Sequence, residues 1–177
     1  MDLGTGPRSP CAEDVEEMLD ISESYGLDIR NYPVNGVGCG HGVENPVYDG
    51  NEPGREFVLA DAGKLPFDDE AVDIVTAGRF LNNFDEESSE EVIDEVKRVL
   101  KPEGYFVGDI KMYRPLRPDQ MMQFRKTGAL AYLTSEMRQE SHEEQLETHF
   151  NELETGRSWI IEDERPYVST LYFKAQK

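Results

Sequence analysis

A chain of 177 residues with 37 acidic and 18 basic side chains, net charge −19, has the length of one domain and at that size buries roughly 70% of its unfolded surface. So acidic a surface argues against nonspecific nucleic-acid binding, which needs a basic footprint. Two cysteines, Cys11 and Cys39, a start unlike a signal peptide and the lack of a long apolar run point to free thiols, no membrane-spanning helix and a cytoplasmic protein.

The chain opens with MDLGTGPRSP, a glycine-rich turn leading into a helix start. Ser9 can cap, Pro10 suits the first helical position, and Val15, Met18 and Leu19 form an apolar stripe among Glu13, Asp14, Glu16 and Glu17. Ahead of the turn only Met1 to Leu3 remain for a strand, about 10 Å at the usual rise. Backbone N–H groups of such a turn, at the positive end of a helix, can hold an anionic or carboxylate group. In YGLDIR, Tyr25 to Arg30, Asp28 lies 22 residues after Gly6, near the spacing at which an acid hydrogen-bonds a ribose hydroxyl. A solvated turn aspartate is the alternative. Asn31 to Arg55 is so rich in glycine and proline that no helix is expected. It contains a rival glycine turn, VGCGHG at Val37 to Gly42, but only 18 residues separate Gly42 from Asp61, tight for a crossover helix and another strand. Cys39 and His41 are too few ligands for a metal site.

Phe57 to Gly108 is the most legible stretch. FVLA, VDIV and YFVG are short apolar runs bounded by turn residues, predicted as strands buried on both faces. Between the second and third, Val92, Val96, Val99 and Leu100 recur at i, i+4, i+7 and i+8, the period of an amphipathic helix. Asp85 and the Ser88-Ser89 pair offer N-caps, Lys97, Arg98 and Lys101 suit the negative end of the dipole, and Pro102 with Gly104 are expected to stop the helix. Asp61 follows FVLA at the carboxyl edge of the sheet, and Asp73 opens the next strand in a structural role. FLNNF, after that strand, carries no titratable base.

Asp109, Lys111 and Tyr113 leave the YFVG strand where a substrate can be contacted. Pro118 to Leu153 reads as mostly helix, broken near Gly128, with Leu130, Leu133 and Met137 on one face and Leu146, Phe150 and Leu153 on another. His142 and His149 sit among glutamates, seven apart or two helical turns; solvated side chains are expected, and a shared helix face is the alternative. Arg157 to Lys177 closes as a hairpin turning at Arg165-Pro166. No repeat or low-complexity linker interrupts residues 1–177, so a single domain is expected.

ADAGKLPFDDEAVDIV followed by an acidic helix ending RVLKPEGYF resembles the middle of class I S-adenosylmethionine-dependent methyltransferases of the small-molecule type. That pattern has an aspartate after the third strand, LPF, an aspartate opening the fourth strand and RVLKPGG before the fifth; Glu103 replaces the first glycine of the final pair. DLGTGP resembles the first motif, an acid, one residue, then Gly-x-Gly, with Arg8 in place of a third glycine. FKAQK resembles the last strand. The helices that usually precede the first strand are expected to be absent. The resemblance implies an α/β, Rossmann-like sandwich with a mostly parallel sheet and an antiparallel C-terminal hairpin.

The resemblance also implies S-adenosyl-L-methionine as cofactor. Asp2, Gly4 and Gly6 would meet its methionine part, Asp28 its ribose, and Asp61 and Ala62 its adenine, the carboxylate accepting the exocyclic amine. Thr76 to Phe80, Ala77 among them, would line the pocket. The partner implied is a small-molecule acceptor. Catalysis by alignment needs few side chains, so no catalytic residue is assigned. A second reading is a methyltransferase-like binding or structural subunit that does not catalyse. Its support is the short first strand, which a partner chain or homo-oligomer would complete, together with Arg8 and the Gly/Pro segment. A nicotinamide-binding protein fits less well, because GTGPR departs from GxGxxG, and the NPPY-like motif of nucleic-acid amino-methylating enzymes is missing.

Acids spread along the whole chain, not gathered in one tail, repel one another at low ionic strength and are screened by salt. The expected habitat is a salt-in halophile or an organism living in one, with an ordinary acidic domain as the alternative. The melting temperature should therefore climb from low to molar potassium chloride, with expansion or unfolding when salt is removed. A melting curve independent of salt would refute this.

Overall fold

The computed structural model describes residues 1–4, 19, 21–29, 54–113, 135–162 and 165–177. Within them, chain order runs β1 (Asp2–Leu3), β2 (Ser24–Asp28), β3 (Arg55–Leu59), β4 (Val72–Gly78), a 3-10 turn (Leu81–Asn83), α1 (Glu86–Val99), β5 (Leu100–Tyr113), α2 (Ser135–His149), β6 (Glu152–Glu162) and β7 (Arg165–Gln176). The strands form one seven-stranded sheet in the order β3-β2-β1-β4-β5-β7-β6. β1 to β5 pair in parallel, and β7 runs antiparallel to both β5 and β6. This is the expected class, a mostly parallel α/β sheet with an antiparallel C-terminal hairpin.

The two-residue β1 occupies the centre. Asp2 pairs with Gly26 on one side and Thr76 on the other. The Met1 amine donates to the Ile74 carbonyl at 2.8 Å, the Thr76 amide to the Met1 carbonyl at 2.8 Å and the Gly4 amide to the Leu27 carbonyl at 2.8 Å. Both edges of the short strand are thus filled from within the chain. Of the three runs expected to be buried on both faces, the one leading into β4 comes nearest, with Val75, Thr76 and Ala77 buried in succession, and β1 and β2 are covered on both faces as well, at Asp2–Leu3 and at Gly26, Leu27 and Asp28. FVLA departs from that expectation because β3 is the sheet's edge, leaving Leu59 58% exposed.

Asp85 is the N-cap of α1, its carboxylate accepting from the Ser88 amide at 2.9 Å, while Ser88 and Ser89 lie inside the helix. Val92, Ile93, Val96 and Val99 are buried on its inner face. The helix stops at Val99, earlier than Pro102 implies: Leu100 is already extended and pairs with Val72 to open β5. Glu103 takes a left-handed φ of 64°, a conformation that costs a non-glycine residue roughly 1–2 kcal/mol. Gly104 is required for a different reason, since a Cβ there would lie 2.9 Å from the Lys101 carbonyl oxygen and 3.0 Å from that of Asp73. Lys101 also pairs with Asp73 at 2.8 Å, the structural role expected of that aspartate.

α1 and α2 share a face of the sheet around Phe106, whose ring lies 4.9 Å from Phe173 and 6.1 Å from Phe150. Leu146 and Phe150 are buried as their spacing predicts. The helix nevertheless ends at His149, and the Asn151 amide turns to the Gln176 carbonyl at 2.9 Å, so β6 begins at Glu152 and not at Arg157. Arg165 and Pro166 are not the turn; they lie in β7, paired with Glu162 and Ile161. The expected helix start at Ser9, the break near Gly128 and the face of Leu130 and Leu133 fall outside the described residues.

The LPF segment is clamped from α1. Arg98 donates to the carbonyls of Leu65 and Phe67 at 3.0 and 2.9 Å, to Asp69 at 2.7 Å and to Glu95 at 2.8 Å, while Glu95 accepts from the Leu65 amide at 2.8 Å. Hydrogen bonding to Arg98 holds the Glu95 carboxyl below the usual range, and Glu95, then Asp69, push the guanidinium further up. Such a depressed carboxyl contributes stability above its unfolded value, 4.5, that is lost as pH falls through its folded value. Arg98→Met is expected to cost about 2 kcal/mol in urea unfolding at neutral pH. Arg98→Lys should recover less than half of that, since an ammonium cannot reproduce the planar fork. A lysine variant as stable as the parent would disprove the clamp.

Candidate functional site

The parallel strands end on one edge, where open α/β sheets hold their ligands. Gly4 leaves β1 with φ 63°, and a Cβ there would lie 2.3 Å from Cδ2 of Phe80. This position therefore demands glycine both for its backbone and for the ring seated on it. Asp28 ends β2 with 9% exposure, its carbonyl accepting from the Ala60 amide at 3.1 Å. Asp61 follows β3 and is exposed; its Oδ1 accepts from the Gly63 amide and its carbonyl from the Lys64 amide, both at 3.0 Å. Neighbouring strands lie about 4.8 Å apart, so Gly4, Asp28 and Asp61 come to one rim. Ile29 and Leu59, 67% and 58% exposed, add apolar surface to it.

Other expected site residues lie differently. Asp2 is 3% exposed and accepts from the Thr76 hydroxyl at 2.6 Å, beneath the rim. Ala62 and Ala77 are buried, at 5% and 0% exposure. Gly6 lies outside the described residues, as do Arg8, the rival turn at Val37 to Gly42 and the Cys39/His41 pair. Among the described residues no cluster of histidine, cysteine and acidic side chains is arranged to hold a metal.

The turn after β4 is built by side chains expected from sequence to have other roles or none. Arg79 has φ 54° and its amide donates to Asp109 Oδ1 at 3.1 Å. Asn82 accepts from the Lys111 amide at 3.0 Å and donates to the Lys111 carbonyl, bracketing β5 as a strand would. Asn83 donates to the Phe80 carbonyl at 2.8 Å. FLNNF, read for its lack of a base, is a pair of backbone-binding asparagines, and two consecutive residues of that turn-forming type were the available signal. Phe80 stacks edge-on against Phe84 with centroids 4.9 Å apart.

The histidines depart from the expectation of solvation. His142 is 1% exposed and its Nε2 donates to the Leu81 carbonyl at 3.1 Å. His149 Nδ1 bonds the Gln145 carbonyl at 2.8 Å, and Nε2 lies 3.1 Å from Glu90 and 3.2 Å from Asp94. The neighbouring glutamates in sequence disguised a helix stripe of His142, Gln145, Leu146 and His149 that packs on α1. Asp109 is also singled out among the residues leaving β5. Burial pushes its carboxyl up, opposed by the Arg79 amide and the nearby Lys111 and Arg79 charges.

Residues 1–108 match a family described as a methyltransferase domain. The chain is 36% identical over 96 residues to a ubiquinone/menaquinone biosynthesis C-methyltransferase of Desulfotalea psychrophila, covering 50% of this chain and 38% of that one. It is 41% identical over 70 residues to a phthiotriol/phenolphthiotriol dimycocerosates methyltransferase of Mycobacterium tuberculosis, covering 38% and 22%. The matches thus span well under half the length of these curated relatives. Among solved structures, a SAM-dependent methyltransferase of Methanosarcina mazei aligns with TM-score 0.61 at 16% identity, covering 99% of this chain and 90% of that one. Phosphoethanolamine N-methyltransferase 2 of Haemonchus contortus, in complex with phosphomonomethylethanolamine and S-adenosylhomocysteine, aligns with TM-score 0.65 at 11% identity, covering 99% and 48%. At these identities the structural likeness is one of fold. With residues 1–108 of 177 matched, the chain belongs to the methyltransferase-domain family, in the class I fold whose cofactor is S-adenosylmethionine.

Proposed function

We propose that the chain transfers a methyl group from S-adenosylmethionine to a small-molecule acceptor. The observation that carries this reading is the rim itself: a glycine turn closed by Phe80, with Asp28 and Asp61 at the ends of adjacent strands. These groups fit the cofactor by their chemistry. A turn without a side chain at Gly4 suits the methionine part, and the sequence reading adds Gly6 to it. Asp28 is a carboxylate for the ribose hydroxyls. Asp61 has Oδ1 engaged with Gly63, and its other oxygen can accept the adenine amine. Exposed Ile29 and Leu59 suit the faces of a flat base. Asp2 acts indirectly, by fixing Thr76 and β1.

When bound, the cofactor supplies a methyl group already activated on a sulfonium, so the protein's share is to bind, orient and exclude water. Asp109, half-buried beside the Arg79 turn, favours an acceptor that offers an O–H or N–H donor and disfavours an anionic one. The relatives named for ubiquinone/menaquinone biosynthesis and for phthiotriol/phenolphthiotriol dimycocerosates support an apolar acceptor. Residues 1–177 are read as one domain because β6 and β7 complete the sheet. The dispersed acidity supports a cytoplasm rich in salt.

Calorimetry with S-adenosylmethionine and S-adenosylhomocysteine, at low and molar salt, tests the cofactor site. Binding is expected, and Asp61→Ala and Gly4→Val should each weaken it about tenfold or more, some 1.4 kcal/mol. No heat at millimolar ligand with folded protein would end this reading. Binding without methyl transfer to any amine, phenol or quinol would favour a non-catalytic subunit.

Asp109 gives a separate pH test. A carboxyl raised on folding contributes its stability below the ordinary value of 3.8, and loses it as pH rises through the folded value. Asp109→Asn keeps an oxygen for the Arg79 amide and removes the buried charge. The variant should therefore melt above the parent at pH 7 and match it below the ordinary value. A lower melting temperature at pH 7 would show that the charge is favourable where it stands.

A further inference from the structure

The turn after β4 is fixed at Arg79 by Asp109, at Asn82 by Lys111 and at Leu81 by His142. The first two contacts come from β5, the neighbouring strand. The third comes from α2, 61 positions along the chain. The Leu81 carbonyl accepts from the Phe84 amide at 3.2 Å and from His142 Nε2 at 3.1 Å, so both of its lone pairs are used. A carbonyl only accepts, so Nε2 carries the proton. Neither partner meets solvent, since Leu81 is 0% and His142 1% exposed.

We propose that His142 is a positioning residue for the cofactor site: by holding the Leu81 carbonyl it keeps Phe80 seated on Gly4 and so sets the shape of the glycine turn. The seat has no slack. A methyl group at Gly4 would come within 2.3 Å of the Phe80 ring, so a shift of a few tenths of an ångström at Leu81 reaches the turn through the adjoining residue. Phe80 is also restrained by its edge-on contact with Phe84 and, through its carbonyl, by Asn83. The helix bearing His142 is itself tied to α1 by the Ser89 hydroxyl donating to Gln145 at 2.7 Å and by Gln145 donating to the Glu86 carbonyl at 2.9 Å. A helix on one face of the sheet thereby braces a ligand rim at its edge.

The proposal rests on the cofactor reading above, and its test separates the two. His142→Leu keeps bulk and removes the donor; His142→Gln returns an amide N–H at similar reach. For variants shown folded by circular dichroism, S-adenosylhomocysteine affinity is expected to fall about tenfold in His142→Leu and to return within about threefold of the parent in His142→Gln. Equal affinity of parent and His142→Leu would overturn the inference. A parent that binds no S-adenosylhomocysteine would instead defeat the cofactor reading. The positioning role is then read without ligand, from the nuclear Overhauser contact between the Phe80 ring and the Gly4 α-protons. That contact should weaken in His142→Leu and return in His142→Gln, and its persistence in His142→Leu would refute the role. Should His142→Leu fail to fold, His142→Met, which likewise offers no N–H donor, is measured in its place, and a contact and affinity equal to those of His142→Gln would equally refute it.

Discussion

Two residues join the halves of this sheet. β1 is only Asp2 and Leu3, yet it lies between β2 and β4, and without it β3 and β2 have no strand contact with the other four. A strand of two residues is below the usual three to ten. It persists because it is buried and bonded on both sides, by Gly26 and Leu27 in β2 and by Ile74 and Thr76 in β4. The Asp2–Thr76 hydrogen bond at 2.6 Å adds a buried polar tie, of the sort that low local dielectric strengthens. Gly4 inherits its position from this junction through the Leu27 carbonyl, and the rim follows from Gly4.

Around that junction two kinds of cohesion divide the work. The face under α1 and α2 is apolar, centred on Phe106, Phe173, Val92, Val96 and Leu146. The loops at the strand ends are held by polar side chains that bind backbone: Arg98 and Glu95 for LPF, Asn82 and Asn83 for the turn after β4. Loops leave backbone donors and acceptors to be satisfied, and these side chains satisfy them while fixing geometry. Arg98 differs in kind from the exposed pairs Lys101–Asp73 and Lys174–Glu154. Exposed pairs contribute a fraction of a kilocalorie, whereas Arg98 binds two carbonyls and two carboxylates at once.

The acidic composition is arranged around the same elements. Glu86 and Glu87 open α1 and Lys97 with Arg98 close it, each favourable with the helix dipole. The part of the chain that matches the family ends at residue 108, just where β5 passes the rim. Beyond it, α2 and the β6–β7 hairpin serve the rim at a distance, α2 through His142 and the hairpin by pairing β7 along β5.

What the sequence determined by itself is local. The strands at FVLA, VDIV and YFVG, the helix stripe at Val92, Val96 and Val99 and the Asp85 cap are each written within a few neighbouring residues, where periodicity and turn chemistry act. What only the tertiary structure decided concerns partners far apart in the chain. Asp2 turned to Thr76, 74 positions away; Asn82 bracketed Lys111, 29 away; His142 found Leu81, 61 away. The edge position of β3 exposed Leu59, and pairing with β7 started β6 at Glu152. The physical reason is the same in each case. A polar side chain's role is set by which unsatisfied backbone group or carboxylate the fold brings to it, and local sequence does not carry that information.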